Sequence, residues 1–360
     1  MKNKIKIFGL IALAFTMLNI NSKQIGFNDT NVVNASDEVD SYYSSIDFNQ
    51  TGLNLRSEVR DLITKTHVNE TTYDGLASAF KTADADVNKS GHIIWFYTGT
   101  SVAFSGANFS GNTNREHVWP KDGGKAFSEK SECGSDAHHL RPTDSQLNSS
   151  RGNLSFDEVS QTTSNIVKQN GSTNYDNLCY KSSGFFYPGK GYRGATARIL
   201  MYVQTRWGDR FNLRFVDSAG NCKTIGKIST LMKWHLTEPV TDEEIRRNEA
   251  VYKIQGNRNP FIDHPELASK IYCNDGETYN NVLKKVVEQY GDYDSDTPSK
   301  NLVSISLSGT PSKTTYTEGD TFNPNGLSVI GTYDDKSTKN ISLSSCKWLD
   351  ATRNVSTLSK

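Results

Sequence analysis

The run from Asn114 to Gly152 constrains the fold more than any other part of the chain. Glu116 to Trp119 reads as a strand that Pro120 ends, because proline brings no N–H to a ladder. Lys121 to Ser135 is polar and carries Gly123-Gly124, so it reads as a loop. Ala137 to Arg141 reads as a second strand, stopped by Pro142. Thr143, with Gln146 three residues later, opens a short helix in the manner of a capping box, and Gly152 closes it. Strand, loop, strand, helix is a ββα finger. It brings together a carboxylate (Glu116), an imidazole (His117) and a helical amide (Asn148). A divalent cation that engages a phosphate needs oxygen ligands, an open coordination position and a nearby base. Glu116 and Asn148 offer the oxygens, and His117 titrates near neutrality without help.

The segment Asn114-Arg115-Glu116-His117-Val118-Trp119-Pro120 resembles the active-site strand of the bacterial endonuclease I family, secreted nucleases of the ββα-metal (His-Me finger) class. The resemblance continues in Arg193-Gly194-Ala195-Thr196-Ala197-Arg198, in Leu231-Met232-Lys233-Trp234-His235 and in Gln255-Gly256-Asn257-Arg258-Asn259-Pro260-Phe261-Ile262-Asp263-His264-Pro265. It covers residues 40–290 and implies an α+β catalytic domain. It also implies one divalent ion on Glu116 and Asn148, namely Mg²⁺, with Mn²⁺ or Ca²⁺ as substitutes. His117 would be the general base. The substrates would be DNA and RNA, cut with little sequence preference to leave 5′-phosphates.

Each candidate has a plainer alternative. Neighbouring strand residues face opposite ways, so Glu116 and His117 serve one site only if the backbone bends there. Asn153 competes with Asn148 for the ligand position. His138 and His139 invite a zinc reading, but as strand neighbours they would face apart, and a structural role suits them better. Arg193, Arg198 and Arg258 stand on family-like motifs in an arginine-rich stretch. The guanidinium fork matches phosphate oxygens, so these three are the expected substrate contacts. Two other function classes stay open: a surface adhesin with an inactive nuclease-like domain, and a zinc phosphodiesterase.

The rest of the chain sets limits. Lys+Arg and Asp+Glu are equal at 40 each, which argues for a local positive groove and against a globally basic nucleic-acid binder. Lys2, Lys4 and Lys6 precede an apolar run from Ile7 to Ile20, too short for a comfortable membrane span. Residues 1–35 therefore read as a secretory signal and flexible leader, giving an extracellular or cell-surface monomer without a membrane span. None of the five cysteines forms a C-x-x-C pair, so no structural zinc site is expected, and sequence cannot assign disulfides. Residues 291–300 are an acidic linker. After it the period changes from helical to alternating: Val303, Ile305 and Leu307 alternate with serines. Residues 301–360 resemble a bacterial Ig-like domain, a small all-β sandwich that is short for seven strands, with an expected role in attachment to a cell-surface ligand.

Overall fold

The computed structural model describes residues 5–6, 35–106, 109, 111–170, 177–291, 302–316, 323–333, 336 and 338–341. Most of the leader, the linker beyond Gly291 and Cys346 lie outside the described residues. The chain divides into two compact units, one spanning Val32–Asp294 and the other holding the described residues after Leu302 together with Ile5 and Lys6.

The first unit is α+β. Its helices are α1 (Ala35–Tyr42), α2 (Gly52–Lys65), α3 (Leu76–Ala83), α4 (Ser145–Arg151), α5 (Arg193–Phe211), α6 (Ile228–Thr237), α7 (Asp242–Gln255), α8 (Pro260–Asp263), α9 (Leu267–Tyr272) and α10 (Asn280–Tyr290). In α2 the apolar residues Leu55, Val59 and Ile63 recur every four positions, and all three are fully buried. Helix α5 is buried around most of its circumference, which makes it the central element. Gly194 lets the α5 start approach the carbonyl of Glu238, where an added Cβ would come within 2.6 Å. Helix α7 opens with the capping box read from Thr241 and Glu244, and Gly256 ends it in the left-handed region.

The finger is built on an antiparallel pair, Thr113–His117 against Leu140–Asp144, in the register Arg115↔Pro142, Glu116↔Arg141 and His117↔Leu140. The second strand therefore starts and ends later than the sequence suggests, and Pro142 lies inside it. The cause is the direction of Pro142. Its carbonyl accepts from Phe96 N at 2.8 Å, on the side away from Thr113–His117. Its nitrogen faces the same way, so no ladder hydrogen bond to the active-site strand is lost. Helix α4 starts one residue later than expected. Asp144, rather than Thr143, is the N-cap, accepting from Leu147 N at 2.8 Å. The Thr143 hydroxyl instead donates to the Phe96 carbonyl.

In the second unit, Leu302–Gly309, Leu327–Tyr333 and Thr338–Ile341 form one three-stranded antiparallel sheet with Leu327–Tyr333 in the centre. Ile5 and Lys6, which the leader reading sets aside, pair antiparallel with Tyr316 and Thr315.

Candidate active site

Glu116 sits in the active-site strand with only 1% of its surface exposed. A carboxylate so placed needs partners, because burial disfavours its charge. Two are present, both on Oε1. The Tyr97 hydroxyl donates at 2.7 Å, and Arg151 Nη1 lies at 3.0 Å. Oε2 is left to the cleft that Glu116 lines. Burial raises the Glu116 carboxyl above its ordinary range, against the opposing pull of Arg151 and Tyr97. Tyr97 holds its position with φ at 75°, a costly conformation for a non-glycine residue.

Arg151 ties the finger together. From the last turn of α4 it also donates to the carbonyls of His117, at 2.9 Å, and Val118, at 2.6 Å. The strand ends at His117 and the chain bends through Val118 and Trp119. Adjacent side chains can then share one site, and both Glu116 and His117 line the same cleft.

The His117 ring lies 3.1 Å from the Gly134 carbonyl through Nε2. The Glu129 carbonyl also faces the ring, and a carbonyl accepts only from a protonated ring nitrogen. Burial, and then the neighbouring His139, push His117 down to about 3, against the raising effect of the Gly134 carbonyl. The ring is therefore neutral at physiological pH. Phe127 and Tyr73 flank it at centroid distances of 6.1 Å each.

Asn148 projects from α4, and its Nδ2 donates to the Arg115 carbonyl at 3.0 Å. That bond fixes the amide orientation and leaves Oδ1 as an acceptor. Glu116, His117, Asn148 and Asn153 all line one cleft of about 180 Å³, with Arg115, Lys121 and Arg151 among its walls. The competing Asn153 donates to Asp122 Oδ1 at 2.7 Å.

His138 and His139 lie in a turn rather than a strand, held by the bond from His139 N to the Asp136 carbonyl. Both are buried. His138 Nε2 bonds the Asn257 carbonyl at 2.9 Å, and its ring packs on Tyr202. His139 Nε2 accepts from Trp119 N at 2.9 Å, so its Nδ1 carries the proton and donates to the Cys133 carbonyl. With both ring nitrogens of His139 and Nε2 of His138 so engaged, these residues brace the loop behind His117. Among the described residues, no three His, Cys, Asp or Glu side chains gather in a metal-holding group. A closed zinc site made of such ligands therefore has no donor set there.

The three arginines expected to touch substrate are elsewhere. Arg198 is buried, with Nε and Nη2 on Glu244 and Nη1 on the Glu238 carbonyl. Arg258 is buried between Asp263 and Glu249. Arg193 spends its Nε on Glu238 and its Nη1 on the Tyr187 hydroxyl. None of the three lines the cleft. Each bonds at least one carboxylate of the same chain, and the structure does not bring them together with Glu116, His117 and Asn148. Arg115 is a cation that does line the cleft. Its guanidinium is sandwiched between the rings of Tyr73 and Phe109, at 4.1 and 3.9 Å, and its Nε is buried without a partner.

Sequence reading passed over Tyr97 and Arg151. For Arg151 one signal existed: it follows Asn148 by three positions, so both project from neighbouring turns of the same helix.

A family model described as Endonuclease I matches residues 51–266. An extracellular ribonuclease of Bacillus amyloliquefaciens is 37% identical over 254 residues, covering 67% of this chain and 81% of the relative. Its Bacillus subtilis (strain 168) counterpart is also 37% identical, over 249 residues, covering 65% of this chain and 79% of the relative. An extracellular deoxyribonuclease of Aeromonas hydrophila is 26% identical over 223 residues, covering 51% of this chain and 87% of the relative.

Proposed function

The chain belongs to the endonuclease I family and is a nuclease, and from that premise we propose a secreted, Mg²⁺-dependent endonuclease. It cuts DNA and RNA with little sequence preference and leaves 5′-phosphates. The observation that carries this reading is that Glu116, His117 and Asn148 line one cleft, with Glu116 Oε1 held by Tyr97 and Arg151 and Asn148 Nδ2 held by the Arg115 carbonyl. Nucleases of this family are generally dependent on a divalent metal. The donor set here fits a hard cation: one carboxylate oxygen and one neutral amide oxygen, with room for water. Bound there, such an ion supplies charge stabilisation to the scissile phosphate and the leaving 3′ oxygen.

The protein's own groups do the rest. The His117 ring accepts a proton from the attacking water, while backbone carbonyls of Gly134 and Glu129 hold it in place. Tyr97 and Arg151 fix the Glu116 carboxylate. Arg115, pinned between two rings, offers its remaining N–H groups to a phosphate oxygen. Ribonuclease-named relatives at 37% identity and a deoxyribonuclease-named one at 26% support including both polymers. We read the C-terminal unit as an Ig-like module serving attachment. Extracellular relatives support secretion, and no helix among the described residues is long and apolar enough to cross a membrane.

The test is nicking of supercoiled plasmid, with and without chelator, by the wild type and by His117→Ala. Chelation should abolish cutting. The variant should lose roughly two to four orders of magnitude, the usual worth of a positioned general base. Chelator-resistant cutting, or a variant as fast as the wild type, would remove this mechanism.

A further inference from the structure

Beside the catalytic cleft, and sharing Arg151, Gly152 and Asn153 with it, lies an open groove of about 500 Å³. Three segments form it. One is the end of α4 with the turn after it. The second is the Ser164–Ile166 stretch, and the third is the turn of the hairpin Tyr180–Ser182/Phe185–Tyr187. An antiparallel bridge between Ile166 and Tyr180 holds the second segment against the third. Gly184, at φ 87°, makes the tight hairpin turn that presents Lys181, Ser182 and Ser183.

The groove's chemistry differs from that of the chain as a whole. Acidic and basic residues are equal in number over the full sequence, yet no Asp or Glu lines this groove. Its exposed cation is Lys181, since the Arg151 guanidinium is buried on Glu116 and two carbonyls, and the rest of its wall is mainly serine, asparagine and glycine. Leu154 and Ile166 add a small apolar surface. A groove with an exposed lysine, hydroxyls, amides and no opposing carboxylate suits a polyanion with hydroxylated, partly apolar units. Its volume lies within the range of about 300–1,000 Å³ usual for small-molecule sites, so it has space for a nucleotide unit. Lys181 is exposed, and its Nζ reaches the Ser150 carbonyl at 3.3 Å, just past the helical turn that carries Asn148. A phosphate contact at Lys181 is thereby set at a fixed offset from the catalytic residues.

We propose that this groove is a backbone subsite: a nucleic-acid strand cut at Glu116, His117 and Asn148 continues past Asn153 into it, with a flanking phosphate on Lys181. The inference rests on the nuclease reading of the adjoining cleft. It assigns the groove to the sugar-phosphate backbone and not to base recognition, because serine hydroxyls and a lysine carry little sequence information.

The test uses the full chain with Mg²⁺, a single-stranded dodecamer as DNA and as RNA, and bis(p-nitrophenyl) phosphate as a diester too small to reach the groove. Lys181→Glu should raise KM for the dodecamer roughly tenfold through lost attraction and added repulsion, with kcat nearly unchanged. Ser183→Asp should act in the same direction. Hydrolysis of the small diester should be unaffected. With labelled dodecamer in chelator, the salt slope of binding should fall by about one in Lys181→Gln. A rise on both polymers reports backbone recognition, and a rise on one alone assigns the groove to that sugar. Unchanged KM and binding in both charge variants, or equal losses on the small diester, would overturn the proposal. A wild-type protein that binds the dodecamer in chelator but cuts neither substrate overturns the parent reading instead, and the binding effect of Lys181→Gln still decides the groove.

Discussion

At Arg151 three acceptors meet one buried guanidinium: the Glu116 carboxylate and the carbonyls of His117 and Val118. The residue thus fixes the carboxylate and the bend that turns His117 into the same cleft. Arg151→Met would leave Glu116 buried with Tyr97 as its remaining partner. Breaking a buried charge pair on one side costs about 3–5 kcal/mol, so thermal denaturation should show a loss of that order. Arg151→Lys keeps the charge but loses the three-way fork. It should fold, yet show weakened Mg²⁺ dependence in a rate titration. A Lys variant with the wild-type Mg²⁺ profile would show that the fork has no role in setting the site. Glu116 and His117 were legible in sequence because they stand together in a motif. Arg151 was not, because its partners lie more than thirty positions earlier in the chain, and no period links them. Arg198 and Arg258, expected at the substrate, are buried on carboxylates outside the cleft. Sequence reports where arginines cluster but not which carboxylates fold against them. Here Glu244, Asp263 and Glu249 fill their forks.

At the scale of elements, strand, loop, strand and helix were legible from turn residues and caps, but the second strand was placed too early. The segment before it is a turn organised by Asp136. That carboxylate accepts from His138 N, Tyr202, Trp207 and Gln255, at distances between 2.7 and 3.0 Å. The last three donors come from α5 and α7, which local pattern could not bring to it. Burial alone would raise the Asp136 carboxyl. The neighbouring His67 and His138 rings, with hydrogen bonds from Gln255 and Tyr202, hold it well below the usual range instead. The two amides differ in setting: Asn148 projects from α4 with Nδ2 on the Arg115 carbonyl, whereas Asn153 lies past the helix end with Nδ2 on Asp122, and our proposal gives the ligand role to Asn148. Asn148→Ala should therefore shift the Mg²⁺ titration of the cutting rate upward, while Asn153→Ala should shift it little, because only the first removes one of few protein ligands. The reverse result would assign the ligand to the turn.

The same buried histidines make the fold sensitive to acid. Burial pushes His138 and His139 down to about 4 and His235 to about 3. His235 Nε2 bonds the Pro265 carbonyl, and its Nδ1 faces Arg198, so added charge there meets a cation. Protonation of His139 Nε2 would set it against the Trp119 N–H. In the unfolded chain these rings take protons near pH 6.5, so between about 6.5 and 4 the unfolded state binds more protons and is favoured. Their contribution is complete above about pH 6.5 and declines as pH falls towards the folded values. Melting temperature should therefore drop between about pH 6.5 and 5, before carboxylates titrate. A flat profile across that interval would mean that these rings are more hydrated than their burial indicates.

For the whole molecule, every group assigned to chemistry lies in Val32–Asp294, and the contact pattern closes that unit by itself. The Endonuclease I match ends at residue 266, within the same unit. Helix α10 still belongs with it, since Leu283 is fully buried in its core and the helix packs on α6. In the sequence the period changes from helical to alternating after residues 291–300, and the two periods reflect different ways of burying an apolar face. A chain ending at Asp294 should therefore fold and turn over a short duplex at nearly the full-length rate, whereas one ending before Asn280 should lose stability through exposure of the α6 face. The measurement is turnover of both truncated chains, with folding followed by circular dichroism. A loss beyond roughly tenfold in a well-folded Asp294 chain, about 1.4 kcal/mol in the barrier, would place part of the substrate groove in the C-terminal unit and make the β-sheet after Leu302 a component of the enzyme.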